Sequence, residues 1–175
     1  MKTSAVLSSA VPEPTFPADD SLMHTFLEGL HPQHLEVLAK IATKERFGAG
    51  QKIFRQYESA TGFYLIEDGV VSLDFDLPGG KSVHLQEIRP GEVLGWSWLA
   101  APHQWQFTAS AIDSVNASFF PASGVRAECA RDARLGYALM ERFARVLMER
   151  LQATRHKLLV FVKRASRDED AQQVC

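Results

Sequence analysis

The chain has 175 residues, 46% of them hydrophobic and 23% charged, with a formal net charge of −2 at pH 7. That composition fits one soluble globular domain with a proper core. With a sequence pI of about 6.3 there is no electrostatic reason for a nucleic-acid or anionic-membrane partner, and no apolar run approaches the length of a membrane span.

Residues 1–20 carry Ser, Pro, Ala and acids without periodicity, and Pro12, Pro14 and Pro17 exclude regular structure, so a flexible lead is expected. The stretch Met1–Val11 is too short and too polar for a signal peptide. Asp20 or Ser21 is placed to cap a first helix, Leu22 to Leu30, closed by Gly29. Pro32 then stands at a natural first-turn position, and Leu35, Leu38, Ala39 and Ala42 form a helical stripe to about Thr43.

From Lys44 the pattern changes to short apolar pieces between turns: Arg46-Phe47, Lys52 to Phe54, and Phe63 to Ile66. Asp68-Gly69 is a hairpin signal. Val71, Leu73, Phe75 and Leu77 alternate as in a half-buried strand. Pro78-Gly79-Gly80 marks a second hairpin, and Val83, Leu85 and Ile88 belong to the returning strand. Gly91 to Ala109 reads GEVLGWSWLAAPHQWQFTA: a Gly-rich turn, a short segment Trp96 to Ala100, and a loop through Pro102 and His103. A β-type run from Trp105 to Ala111 follows, then Val115 to Phe120. Strands at this spacing argue for a sandwich or jelly-roll barrel over 44–121.

Pro121 ends the barrel, and Ser123 to Ala130 reads as a short helix. A long helix is expected from about Asp132 to Lys163, with a frayed, charged tail over 164–175. Met140, Phe143, Leu147, Leu151, Thr154, Leu158 and Phe161 recur every three or four residues. One apolar stripe of that length exceeds what a small barrel needs, and a symmetric partner helix is the natural cover.

The glycines Gly91 and Gly95 let the backbone bend tightly, and a helix start near Ser97 favours anions. The competing reading is a bulged corner whose tryptophans fill the core. The stretch resembles the phosphate-binding cassette of the cyclic-nucleotide-binding domain family, as in catabolite activator proteins. Ile66 to Val71 resembles that family's strand-turn-strand, Ile88 to Glu92 its lead-in to the cassette, and Glu149 to Thr154 its long helix. The resemblance runs from about Ser21 to Phe161 and implies a jelly-roll barrel with flanking helices (21–43 and 122–163) that dimerises through the long helix. It implies ligand contacts at Gly91, Glu92, Gly95, Trp96, Ser97, Trp98, Phe107, Thr108, Ala109 and Thr154.

Two departures stand out. The family places an acid after the second glycine, for the ribose, and an arginine before the Ser/Thr-Ala pair, for the cyclic phosphate. Trp96 and Phe107 occupy those positions here. A hydrogen bond to a charged group contributes roughly 1.5–3 kcal/mol. Losing two weakens binding by roughly a hundred-fold to ten-thousand-fold. Trp96, Trp98, Trp105 and Phe107 either line a pocket for a ligand other than a cyclic nucleotide or plug it.

Transcription factors of this family continue into a helix-turn-helix domain. No basic recognition helix is found here, so direct DNA binding is not expected. Arg142, Arg145, Arg150 and Arg155 interleave with Glu141 and Glu149 as in a solvated helix face. The histidines His24, His31, His34, His84, His103 and His156 form no metal-ligand pattern, and His84 with Glu87 supplies too few ligands for a cupin-type metalloenzyme. Gly95-Trp96-Ser97 is not a nucleophile elbow. Asp74 and Asp76 share a strand face as solvent-facing charges. Cys129 and Cys175 have no metal spacing and no expected disulfide, in keeping with a reducing cytoplasm. The expectation is therefore a non-enzymatic bacterial regulatory or sensor domain without a cofactor. It takes a non-standard small ligand or signals through an effector protein. The alternatives are a ligand-free dimerisation scaffold and a jelly-roll metalloenzyme.

Overall fold

A computed structural model describes residues 24–172, with side-chain environments for residues 26–160. The expected lead over 1–20, the side chain of Phe161 and Cys175 lie outside that range. The chain divides into two compact units, one ending at Val125 and the other beginning at Arg126.

In the first unit, α1 (His24–Leu27) is closed by Gly29 at φ 71°. Helix α2 (Pro32–Ile41) begins at proline, whose missing N–H costs nothing in a first turn. Only Leu38 of its expected stripe is fully buried. The helix stops at Ile41, and Thr43, placed in it by periodicity, opens β1 (Thr43–Phe47). The extended Ala42, whose N–H still bonds Leu38 O, makes the switch.

The strands β2 (Lys52–Phe54), β3 (Gly62–Asp68), β4 (Val71–Asp76), β5 (Ser82–Ile88), β6 (Val93–Leu94), β7 (Thr108–Ala111) and β8 (Val115–Pro121) complete two four-stranded antiparallel sheets. Their orders are β1-β8-β3-β6 and β2-β7-β4-β5. This is the expected jelly-roll arrangement. Phe54 of the second sheet and Tyr64 of the first stack with centroids 6.3 Å apart, so the core lies between the sheets. Ile66, Val71, Ile88 and Val115 are fully buried in it, whereas Phe63 and Phe120, the strand neighbours of Tyr64 and Phe119, are buried on the opposite face of the first sheet, where Phe63 packs against Phe26.

The Asp68-Gly69 signal is a turn but not a hairpin of paired strands. β3 and β4 lie in different sheets, and the turn carries the chain across. Gly69 has φ 83°, and a β-carbon there would stand 2.3 Å from Ser114 O. The Val70 N–H donates to Asp113 Oδ1 at 2.8 Å, so the corner is clamped by the loop between β7 and β8. Pro78-Gly79-Gly80 does make the expected hairpin, with Leu77 N–H on Lys81 O at 2.8 Å. Leu77 itself falls beyond β4 and is exposed. The uneven spacing Val83, Leu85, Ile88 has its cause in a bulge: Leu73 pairs with Gln86 and Asp74 with His84, which leaves Leu85 over.

Helix α3 spans Ala122–Arg131. In the second unit α4 runs Ala133–Gln172, past Lys163 where the apolar pattern fades. The supposed tail over 164–172 continues the helix, because it contains neither glycine nor proline and is rich in Arg, Ala, Asp and Glu. Asp132 Oδ1 accepts the Arg134 N–H at 2.9 Å at its start. Leu135, Leu139 and Phe143 form a buried row at four-residue spacing. Met140, Leu147, Leu151 and Leu158 of the expected interface stripe are exposed, the last two by 51% and 61%.

Candidate functional site

The cassette region has to cross between sheets. β6 is the edge strand beside Tyr64 and Leu65 in the first sheet, whereas β7 lies between β2 and β4 in the second. The turn before it is built on Gly91 at φ 86°, whose N–H donates to Ile66 O at 2.8 Å. Glu92 Oε2 accepts the Arg89 N–H at 2.6 Å, so this carboxylate braces its own turn.

Gly95 also has φ 86°. The helix expected near Ser97 is only a three-residue 3-10 turn, Ser97–Leu99, with no side-chain cap. So short a turn adds little dipole for an anion. Trp98 is buried and stacks on Phe63, with centroids 5.8 Å apart and planes at 20°. It belongs to the core. Trp96 and Ser97 are half-buried.

The loop that follows pairs with the segment before β3. Tyr57 N–H donates to Trp105 O, Trp105 N–H to Glu58 O and Ala60 N–H to His103 O, each at 2.8 Å. These bonds hold Trp105 in place, so the run expected to be extended from Trp105 enters its strand only at Thr108. The Trp105 ring is buried and stacks on Phe54 with centroids 3.9 Å apart and planes at 11°. Its Cζ3 would lie 2.6 Å from a β-carbon on Gly95. The glycine is therefore required twice, for its positive φ and for the ring that covers it.

Phe107 is half-buried with its ring edge-on to Phe75, centroids 6.4 Å apart. Ala109 is fully buried opposite Leu73. Thr108 is buried, and its hydroxyl is engaged on both sides. It accepts the Gln56 N–H at 3.0 Å and donates to Asp76 Oδ2. Gln56, 8% exposed, accepts the Asp76 N–H on Oε1 at 2.7 Å. Its Nε2 is buried without a hydrogen-bond partner among the described residues, a cost of about 1–3 kcal/mol. The carboxylates Asp74 and Asp76 are thus not idle solvent-facing charges. Ser72 Oγ donates to Asp74 at 2.9 Å, and His84 Nδ1 lies 3.2 Å from Asp74 Oδ1. Thr154 stands exposed on α4, its hydroxyl donating to Arg150 O at 2.8 Å.

The family resemblance marked the aromatics of the cassette, and sequence reading missed Gln56 and the hydrogen bonds of Asp76. Among the described residues no group of three or more His, Cys, Asp or Glu side chains is placed to hold a metal, and no helix is long and apolar enough to cross a membrane. Burial, followed by the charges of Asp132 and Glu128, raises the Cys129 thiol above its usual range. Burial, and then the Glu45 carboxylate, raises the Tyr64 phenol well above its own.

Two sheets in jelly-roll order with a glycine-framed cassette joining them define a regulatory-domain fold. The chain belongs to the cyclic nucleotide-binding domain family, whose model matches residues 44–132. It is similar in structure to a cyclic nucleotide-binding protein candidate from Geobacter metallireducens GS-15, at 25% identity and a TM-score of 0.65, over 73% of this chain and 92% of that one. The catabolite activator protein of Thermus thermophilus is 21% identical, with a TM-score of 0.65 over 78% of this chain and 62% of its own. The regulatory subunit of a cAMP-independent protein kinase A from Trypanosoma brucei is 18% identical, with a TM-score of 0.64 over 78% of this chain and 49% of its own. The last two likenesses speak for the fold alone. No match was found among the curated proteins.

Proposed function

We propose that this chain is a non-enzymatic regulatory module whose phosphate cassette is filled by its own side chains. It signals through a partner protein rather than by taking up cAMP or cGMP. The observation that carries this reading is the Trp105 ring lying 2.6 Å from where a Gly95 β-carbon would be. Backbone at the cassette turn that would face a ligand is covered by an indole. The positions of the acid and the arginine hold Trp96 and Phe107, and the hydroxyl of Thr108 is spent on Asp76. An anion brought to Thr108 meets a carboxylate where the family offers a guanidinium. The fold also occurs in a kinase subunit described as cAMP-independent, so it does not by itself carry a cAMP requirement.

Two copies joined along the exposed Met140, Leu147, Leu151 and Leu158 of α4 complete the proposed module, while Phe143 of the expected stripe is 1% exposed and already buried in the single chain. Calorimetry with cAMP and cGMP is the test. No heat of binding with either nucleotide is expected, and saturable sub-millimolar binding of either by the wild-type protein would overturn the reading. A second reading has one observation in its favour: Trp96 and Phe107 are only half-buried, so their rings keep accessible surface for a flat neutral ligand. Calorimetry against a pool of extracted metabolites separates the two.

A further inference from the structure

The Thr108 hydroxyl, by resemblance among the ligand contacts, is taken by an acidic group of the protein itself. We infer that Asp76 is a built-in counter-ligand: its carboxylate takes the hydroxyl that an incoming anion would need and latches the cassette strand to the β4–β5 hairpin. The latch is a closed ring of three residues. Thr108 Oγ1 donates to Asp76 Oδ2, Asp76 N–H donates to Gln56 Oε1, and Gln56 N–H donates to Thr108 Oγ1. Each member comes from a different part of the second sheet: Gln56 just beyond β2, Asp76 at the end of β4, Thr108 at the start of β7.

Ladder bonds already join β7 to β4 up to Asp74 opposite Thr108. The ring extends that pairing past the end of the ladder, where the hairpin would otherwise hang on β4–β5 pairing alone. Asp76 is exposed while Thr108 and Gln56 are buried, so the carboxylate is the member that solvent and solutes reach first. The buried, unpartnered Gln56 Nε2 makes the closed ring an expensive arrangement, which suits a contact that opens when a better partner arrives. The chemical consequence is selectivity: with the latch closed, the seat rejects anions without any help from the aromatic rings.

This inference deepens the reading that the cassette is self-filled, and its test uses no nucleotide. Amide hydrogen exchange is followed in the wild-type protein, in Asp76→Ala, in Thr108→Val and in the double variant. Asp76→Ala is expected to speed exchange at least tenfold both in Val71–Ile88 and in Thr108–Ala111. In the Thr108→Val background the same change is expected to add nothing. Thr108→Ser, which keeps the hydroxyl, is expected to keep wild-type protection and guards against a merely structural loss at that buried site. Unchanged β7 protection in Asp76→Ala, or fully additive effects in the double variant, overturns the latch. Binding of cAMP by the wild-type protein would overturn the self-filled cassette instead, and leaves the exchange result to be judged by itself.

Discussion

Trp105 and Gly95 are ten positions apart in the chain and in direct contact in the fold: the indole Cζ3 stands 2.6 Å, and Cη2 2.9 Å, from the point where a Gly95 side chain would begin. The ring meets this bare backbone and also stacks on Phe54, 3.9 Å away between centroids. The backbone turn at Gly95 and the seat of the Trp105 ring therefore depend on each other.

Gly95→Ala is accordingly expected to destabilise the protein by about 1–3 kcal/mol through overpacking alone, with a further cost from φ 86°. Trp105→Ala removes a buried aromatic and is expected to cost about 3–5 kcal/mol. Urea unfolding of both variants checks this. A Gly95→Ala protein as stable as wild type would mean that Trp105 moves freely.

Restoring the missing charges is a separate matter from opening the space. Trp96→Glu/Phe107→Arg returns the family's acid and arginine at two half-buried positions. It is expected to fold, with any gain in cAMP affinity held to the millimolar range while Trp105 and Asp76 stay in place. Calorimetry reads the result directly. Tight binding by this double variant would show that the space was open and only the contacts had been lost.

Leu151 and Leu158 present apolar side chains to solvent on α4, 51% and 61% exposed. Leu151→Glu/Leu158→Glu is expected to turn a dimer into a monomer at micromolar concentration while leaving the circular dichroism of the sheets intact. Sedimentation equilibrium is the check. A wild-type protein that sediments as a monomer ends the proposal of a paired helix.

Tyr64 sets an alkaline limit. Burial, then the Glu45 charge, raises its phenol in the folded state above the ordinary value of 10.0. The unfolded tyrosine ionises near pH 10, whereas the folded one resists. Its contribution is therefore complete below about pH 10 and is lost as the pH climbs through and beyond that value. Tyr64→Phe is expected to flatten this part of the alkaline stability curve and to change little at neutral pH. Denaturant midpoints measured across pH 8–12 report the difference.

Cys129 is half-buried and its thiol is raised, first by burial and then by Asp132 and Glu128. Because the thiolate is the nucleophile, alkylation of the native protein by iodoacetamide at neutral pH is expected to be at least tenfold slower at Cys129 than in an unfolded control. Peptide mapping resolves it from Cys175. Equal rates would place Cys129 in an open site.

Much of the architecture is written in local chemistry. Pro32 starts a helix and Pro78-Gly79-Gly80 turns a hairpin, because backbone geometry at these residues is restricted within a few positions. The glycine frame of the cassette is likewise read directly from the chain, and the family resemblance places Trp96 and Phe107 where an acid and an arginine are expected. Asp68-Gly69 marks the limit of such reading. A local signal gives the bend, but whether the next strand pairs or crosses to another sheet depends on Asp113 and Ser114, more than forty positions away. The same holds at the site. Thr108 meets Gln56 across 52 positions and Asp76 across 32, and Trp105 finds Gly95 only once both sheets are in place. The family resemblance carried by the sequence motifs pointed to a cyclic-nucleotide-binding fold, with Trp96 and Phe107 as its departures. Only the tertiary structure decided that the Trp105 ring lies against Gly95 and that Asp76 takes the Thr108 hydroxyl, because non-local partners are chosen by packing and not by periodicity.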